Sequence, residues 1–259
     1  MAFRFLDTAP APGAWNMAVD QALLAGVREG APPVLRFYRW RPYCLSLGRN
    51  QPARGHYHLE RIRAHGYDVV RRPTGGRAVL HAEELTYSVV LPERLLGGPR
   101  EAYATVNRAL AAGLRRLGVP VMLQPRGVAR APVPSLAPCF REPAEGEVVA
   151  MGRKLVGSAQ VRERGALLQH GSLLLAGDQS AVQELLRTPP PPGLDVQPAV
   201  LADFVRPLPA WEALTAALRA GWAEVLGAEP RADELSAAEA GQADALAERF
   251  ADLAWTWRF

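Results

Sequence analysis

Residues 147–175, EVVAMGRKLVGSAQVRERGALLQHGSLLL, form the stretch that most restricts the fold of this chain. Their apolar, β-branched segments and glycine turns predict three consecutive strands, with turns near Gly152 and across 162–165. Other predicted strands lie close before them, whereas predicted helices lie before, between and after the strands. Regular alternation of strand and helix is missing, so we expect an α+β sandwich built on one large mixed or antiparallel sheet.

Local patterns outside this stretch predict the remaining elements. Helix signals begin with Asn16 as a plausible N-cap, and glycines stop two helices at Gly66 and Gly118. A proline-rich loop is expected across 125–138 and a second one across 188–198. The predicted helices are 16–28, 57–65, 100–118, 179–186, 211–226 and 236–250, and the further strands are 34–40, 44–48, 67–71, 85–91 and 119–124.

Composition narrows the class of protein. The 259 residues are 49% hydrophobic, enough for one large core or two modest ones. No apolar run approaches the length of a bilayer span, and the N-terminus lacks the apolar core of a signal peptide, so we expect a cytoplasmic protein. A net charge of +4, spread over single arginines, favours acidic partners but does not indicate nucleic acid.

Lys154 is the single lysine among 30 basic residues, and all the others are arginine. Drift toward arginine could have left it by chance. Alternatively, its ammonium performs a task that a guanidinium cannot, because an ammonium is a compact point charge with a tunable pKa. The residue is expected to begin a strand directly after a turn. Its neighbours in the fold must decide between the two interpretations.

Two further stretches could carry chemistry. RRPTGGRAVLH, at 71–81, combines arginines, a hydroxyl and paired glycines, which suits an anionic or carbonyl-bearing ligand but also a solvated hairpin. Cys139 lies between prolines on a predicted loop, where a thiol can react, although a lone cysteine is more often a small buried hydrophobe. Lys154, His81 and His170 are the candidates to lower the pKa of its thiol.

The other cysteine and histidines favour plain structural roles. Cys44 lies within an apolar strand and is expected in the core. His170 precedes a glycine in an apolar strand, where a satisfied core histidine is the default interpretation. His56, His58 and His65 have no carboxylate at metal-binding spacing, so no metal site is predicted.

Five motifs in this order and at these distances resemble the biotin/lipoate protein ligase superfamily, and within it the octanoyltransferases. The motifs are NMAVDQALL (16–24), LRFYRWRPYCLSLGRNQ (35–51), RRPTGGRAVLHAEELTYSVV (71–90), APCF (137–140) and GRKLVGSAQVRERGALLQHGSLLL (152–175). The resemblance runs from about residue 16 to residue 258. It implies a single catalytic domain over 1–259, with its core at about 33–247, no accessory C-terminal domain, and an acyl tunnel under the glycine loop.

The resemblance also implies a reaction in lipoate biosynthesis. Cys139 would take an octanoyl group from the phosphopantetheine thioester of acyl carrier protein. A lysine of a lipoyl carrier, either glycine cleavage H protein or an E2 lipoyl domain, would then attack the acyl-enzyme. Lys154 would lie beside the thiol and favour the thiolate, and no cofactor or ATP would be needed. By the same resemblance, the acyl site is lined by Arg72, Thr74, Gly75, Gly76 and His81, with Gly157, Ser158 and His170 near it.

Three alternatives remain open at this stage. An ATP-dependent lipoate-protein ligase is favoured by GRNQ at 48–51, but Arg77 stands where such ligases usually have a third glycine. An amidotransferase that moves octanoyl between carrier proteins would also use a cysteine. A non-catalytic carrier-binding protein or biotin-type regulator would call for a DNA-binding extension, for which too few residues precede Asn16.

Overall fold

A computed structural model describes residues 2–125, 140, 143–188 and 197–259. The strands are β1 (Arg4–Asp7), β2 (Val34–Tyr38), β3 (Cys44–Leu47), β4 (Asp68–Arg71), β5 (Val79–His81), β6 (Glu84–Pro92), β7 (Val121–Leu123), β8 (Val148–Ala150), β9 (Arg153–Lys154), β10 (Val156–Glu163), β11 (Ala166–Leu174) and β12 (Arg231–Ala232). The α-helices are α1 (Gly13–Arg28), α2 (Leu59–Ala64), α3 (Pro99–Arg116), α4 (Ala181–Glu184), α5 (Trp211–Leu226), α6 (Ala237–Ala251) and α7 (Leu253–Thr256).

Six strands form the main sheet, in the order β10-β11-β6-β2-β1-β12. β10, β11, β6 and β2 are antiparallel neighbours, whereas β1 pairs in parallel with both β2 and β12. Two three-stranded sheets, β4-β3-β5 and β7-β8-β9, lie beside it. The predicted α+β class with one large mixed sheet is therefore confirmed.

Helices cover both faces of the main sheet, because its strands alternate two sets of apolar side chains. Leu35 and Phe37 of β2 belong to the core that the sheet shares with α3 and α5. Val34 and Tyr38 of the same strand belong to the opposite core, which includes α1 and α6. The main sheet is therefore packed on one face by α3 and α5 and on the other face by α1 and α6.

Buried side chains of the hydrophobic core also lie outside residues 33–247. Leu6 of β1 and Met17 of α1 are buried before this range, and Phe250 of α6 is buried after it. The parallel pairing of β1 with β2 explains this extension at the N-terminal side, because it places β1 inside the main sheet.

Three local predictions were wrong in detail. Asn16 is not an N-cap, since α1 begins at Gly13 and the Asn16 side chain instead binds the carbonyls of Ala11 and Arg39. The helix predicted at 179–186 is shorter, since only α4 is helical, and the Gln179 carboxamide before it binds both backbone polar groups of Leu80. The three strands expected across 147–175 are four.

That fourth strand arises because the chain leaves the β7-β8-β9 sheet at Leu155 before it joins the main sheet as β10. The buried Leu155 donates its N–H to the carbonyl of Val148 at 3.1 Å. Lys154 ends β9 and follows the turn at Gly152, close to the position predicted for it. Most of the loop predicted at 125–138 lies outside the described residues. No helix of the described part of the chain is long and apolar enough to cross a membrane.

Candidate active site

A pocket of about 50 Å³ lies on the α1 side of the main sheet. Its floor is formed by β10, β11 and β6, and the glycine segment between β4 and β5 forms part of its wall. The lining residues are Met17, Trp40, Ser46, Arg72, Gly76, Val79, His81, Thr86, Gly157, Ser158, Ala159, His170, Gly171 and Ser172. Apolar walls with a few polar groups are the lining expected of a small-molecule site.

The glycine segment is held by hydrogen bonds from one buried guanidinium. Arg72 donates to the carbonyls of Gly75 and Arg77, both at 2.8 Å, and to Ser46 of β3. A side chain at Gly48 would place its Cβ 2.0 Å from the carbonyl oxygen of Gly76, so the two backbone segments pack directly against each other. Arg72 therefore acts as a brace for the loop as well as a lining residue of the pocket.

His170 links the floor of the pocket to the glycine segment. Its Nε2 lies 2.6 Å from Oγ1 of Thr74, and its Nδ1 lies 3.2 Å from Oδ2 of Asp20 in α1. All three residues are buried. Burial lowers the pKa of His170, which stays neutral near pH 7. Both ring nitrogens of His170 thus have partners, as expected for a buried core histidine. The ring also lines the pocket.

A second buried histidine belongs to a separate hydrogen-bond cluster in the wall. His81 Nδ1 lies 2.7 Å from Oε1 of Glu84, and its Nε2 lies 2.7 Å from Oγ of Ser46. The ring of Trp40 stacks on the imidazole with centroids 4.0 Å apart. Ser172 also donates to Glu84 at 2.9 Å. His81 is therefore fixed in orientation from both nitrogens and from one face.

Lys154 is buried in an ion pair with Glu147. Its Nζ lies 2.8 Å from Oε1 of Glu147, and the other carboxylate oxygen accepts the N–H of Ala144 at 2.7 Å. The ring of Phe140 lies 5.3 Å from the same Nζ. The single lysine of the sequence therefore lies in the protein interior, where its charge has a partner.

Gly157 and Ser158 of β10 form the side of the pocket next to Lys154. A Cβ at Gly157 would lie 3.0 Å from Cζ of Phe140 and 3.2 Å from Cε of Lys154. Ser158 Oγ lies 2.7 Å from the hydroxyl of Tyr87 and also donates to Asn107 of α3. The absence of a side chain at Gly157 thus leaves room for the Phe140 ring and the Lys154 side chain beside the pocket.

The structure gathers most of the residues named from the sequence. Arg72, Gly76, His81, Gly157, Ser158 and His170 line one pocket, Thr74 and Gly75 bond to its lining residues, and Lys154 lies at its side. Cys139 lies outside the described residues. Cys44 is buried, and burial raises the pKa of its thiol well above the usual value, so its predicted core role is confirmed. Across residues 2–125, 140, 143–188 and 197–259, no cluster of three metal-ligating side chains is present.

Three carboxylates of the site were missed by sequence reasoning. Asp20, Glu84 and Glu147 bind His170, His81 and Lys154, respectively. A signal existed for Asp20, which falls within the apolar face of a helix, where an acid needs a partner. Glu84 begins β6 and Glu147 directly precedes β8, and nothing in the local pattern separates them from solvated charges.

Comparison with known proteins places this arrangement in a family. The lipoyl protein ligase A/B catalytic domain model matches residues 12–218. An octanoyltransferase LipM from Kyrpidia tusciae is 42% identical over 270 aligned positions, covering 99% of this chain and 98% of the relative.

Two solved structures share the fold. A lipoate-protein ligase A bound with ATP has a TM-score of 0.83 at 25% identity, over 99% of each chain. A bipartite lipoate-protein ligase of Thermoplasma acidophilum, studied with its E2 lipoyl domain, has a TM-score of 0.79 at 25% identity, over 99% of this chain and 96% of the other. This chain belongs to the lipoyl protein ligase A/B catalytic domain family and, within it, to the LipM octanoyltransferases, and it is an acyltransferase.

Proposed function

We propose that this chain transfers an octanoyl group from acyl carrier protein to the lysine of a lipoyl carrier protein, through a thioester on Cys139. The observation that carries the proposal is the buried Lys154 ammonium at the side of the pocket, next to Phe140. Cys139 directly precedes Phe140 in the sequence, and this closeness to Lys154 along the chain supports its assignment as the nucleophile. LipM relatives are named as octanoyltransferases, which supports the acyl group.

The reaction would run in two steps: the first exchanges one thioester for another, and the second uses the free energy of the thioester to form an amide. In the first, the Cys139 thiolate attacks the carbonyl carbon of the octanoyl thioester, the donor C–S bond breaks, and the donor thiolate leaves and takes up a proton. In the second, a neutral lysine amine of the acceptor attacks the acyl-enzyme carbonyl. An amide forms, the amine loses a proton, and the Cys139 thiol is restored.

Lys154 would supply positive charge in both steps. An ammonium favours the thiolate form of a neighbouring thiol, and it can donate a hydrogen bond to the carbonyl oxygen as negative charge develops there. Glu147 would hold the ammonium in place, since a buried lysine without a partner tends to lose its proton. The pocket floor at Gly157 would receive the start of the acyl chain.

The remaining site residues would shape the acyl pocket. We assign Arg72, Thr74, Gly75 and Gly76 to the wall of this pocket. The polar groups around the bound acyl chain would be His81, Ser158 and His170. The hydrogen bonds of Arg72 and His170 support this assignment, because they hold the glycine segment against the sheet.

The partners would be an acyl carrier protein as donor and an E2 lipoyl domain or glycine cleavage H protein as acceptor. The archaeal ligase of similar fold was studied with its E2 lipoyl domain, which supports a lipoyl acceptor. We also propose that residues 1–259 act as one catalytic unit that works without ATP in the cytoplasm.

An ATP-dependent lipoate-protein ligase is the second candidate, because a lipoate-protein ligase A bound with ATP shares the fold over 99% of the chain. Intact-protein mass spectrometry after mixing the protein with octanoyl-acyl carrier protein, without ATP, separates the two. The Cys139→Ser and Cys44→Ser variants serve as a matched pair.

The proposal predicts one hydroxylamine-labile octanoyl adduct that is lost in the Cys139 variant and kept in the Cys44 variant. It also predicts transfer of that group to an added E2 lipoyl domain or H protein. If an acceptor is modified only when ATP and lipoate are supplied, the ligase is the correct function. An octanoylated carrier protein that serves as donor in place of acyl carrier protein would identify the amidotransferase.

A further inference from the structure

We propose that Asp20 of α1 is a positioning residue for the acyl pocket: it fixes one tautomer of His170, whose other ring nitrogen then holds Thr74 and the glycine segment. The role of the pocket in acyl binding rests on the function proposed above. The hydrogen-bond chain itself does not, and it can be tested in the absence of any substrate.

Four groups converge on the carboxylate of Asp20, which is fully buried. Oδ1 accepts from Nη1 of Arg36 and from Oγ of Ser88, both at 2.8 Å. Oδ2 accepts from the Tyr38 hydroxyl at 3.1 Å and faces Nδ1 of His170 at 3.2 Å. Burial opposes the charge, but the contacts with His170 and Arg36 outweigh it and lower the pKa of Asp20. The carboxylate is therefore ionised and can only accept.

The direction of the remaining bonds follows from this. Because Asp20 cannot donate, Nδ1 of His170 must carry the hydrogen. Burial lowers the pKa of His170, so the ring is neutral and Nε2 carries none. Thr74 must then donate its hydroxyl hydrogen to Nε2, across 2.6 Å. The chain runs from Thr74 through His170 to Asp20, and it joins the glycine segment, β11 and α1.

Thr74 connects this hydrogen-bond chain to the backbone of the glycine segment. Its carbonyl oxygen accepts the N–H of Arg49 at 2.8 Å, and its side chain is buried. Arg72, two positions before Thr74, donates to the carbonyl of Gly75. Gly76, two positions after Thr74, lines the pocket. The hydroxyl of residue 74 thus anchors the wall to His170, in addition to the bonds from Arg72, whereas its methyl group makes no hydrogen bond.

The tautomer is measured directly by two-bond ¹H–¹⁵N correlation NMR of the full chain at pH 7.5. The chain has five histidines, and the His170→Gln variant assigns the signals of residue 170. We expect the pattern of a neutral ring protonated on Nδ1. A ring protonated on Nε2, or on both nitrogens, would overturn the proposal whatever the enzyme does.

Steady-state octanoyl transfer tests the consequence for the pocket. Thr74→Ser keeps the donor and should stay within about twofold of the wild type, whereas Thr74→Val leaves Nε2 unpaired and should raise the KM for the octanoyl donor roughly tenfold. Asp20→Asn should raise the KM similarly and move the NMR pattern of His170. Thr215→Val is the matched control, because its hydroxyl donates to the Glu212 carbonyl within α5, away from the glycine segment.

Equal KM values for Thr74→Val and Thr74→Ser would contradict the proposed role of the chain. Asp20→Asn could fail to fold because Arg36 loses its ion pair. In that case the KM values of Thr74→Ser and Thr74→Val, with the His170 tautomer of the wild type, still test the proposal. A wild-type enzyme that transfers no octanoyl group would refute the proposed function, and the NMR result would remain an independent test of the Asp20–His170 bond.

Discussion

The ammonium of Lys154 and the carboxylate of Glu147 form a buried ion pair, with Nζ 2.8 Å from Oε1 and side chains only 3% and 4% exposed. Glu147 directly precedes β8, and Lys154 ends β9, the neighbouring strand. The pairing of two short antiparallel strands therefore brings the two charges together. It holds the one ammonium side chain of the sequence at the side of the pocket.

Breaking this pair should destabilise the protein strongly. Glu147→Leu leaves a buried ammonium without its counterion, and we expect a loss of about 3–5 kcal/mol in the free energy of unfolding. Urea denaturation followed by circular dichroism measures it. The double variant Glu147→Leu with Lys154→Met removes both charges and should lose less than Glu147→Leu alone. Losses that simply add would show that the two side chains do not interact.

Cys44 should be unreactive in the folded protein. Burial raises the pKa of its thiol well above the usual value, so almost no thiolate is present at pH 8. In the Cys139→Ser variant, iodoacetamide should leave the native chain unmodified and add one group after unfolding in urea. Intact mass gives the count, and rapid native alkylation of this variant would contradict the burial of Cys44.

Gly157→Ala should impair transfer without unfolding the protein. The new Cβ would lie 3.0 Å from Cζ of Phe140 and 3.2 Å from Lys154, so both side chains must shift at the side of the pocket. A displacement of this kind should lower kcat/KM for the octanoyl donor by roughly tenfold to a hundredfold.

Gly26→Ala is the matched control for that substitution. Its Cβ would make an ordinary 3.7 Å contact with Ala31, at the outer end of α1. Unchanged transfer and a gain in stability of up to about 1 kcal/mol are expected. Equal activity of the two alanine variants would show that Gly157 does not need to be small.

Stability should fall as the pH drops below about 6.5, the usual pKa of an unfolded histidine. The pKa of His170 is lowered in the folded state. Between that lowered pKa and the unfolded value, the unfolded chain therefore binds a proton that the folded chain does not bind. The free energy of unfolding then falls by up to about 1.4 kcal/mol per pH unit, until the lowered pKa is reached. The lowered pKa of Asp20 adds a loss only below about pH 4.

Urea denaturation at pH 7.5 and pH 5.5 tests this slope. His170→Gln should flatten the difference between the two conditions, and His56→Gln should keep it, because His56 is exposed. A slope that is the same in all three proteins would mean that His170 titrates as it does in the unfolded chain.

Local periodicity was enough to predict most of the elements. The range 211–226 matches α5, and the range 85–91 differs from β6 by one residue at each end. Errors arose where a side chain bonds to a distant segment. Asn16 has the chemistry of an N-cap, but its amide group is engaged by Arg36 and by two carbonyls of other segments.

The sequence by itself determined the α+β class and the family motifs, and it singled out Lys154 and the glycine segment as candidates, because these depend on residue type and short-range spacing. Only the tertiary structure decided which acid partners which base. Asp20 meets His170 across 150 positions, and Thr74 meets it across 96. Such pairs form because burying a charge or a polar group requires a partner in space, and strand register and helix packing choose that partner.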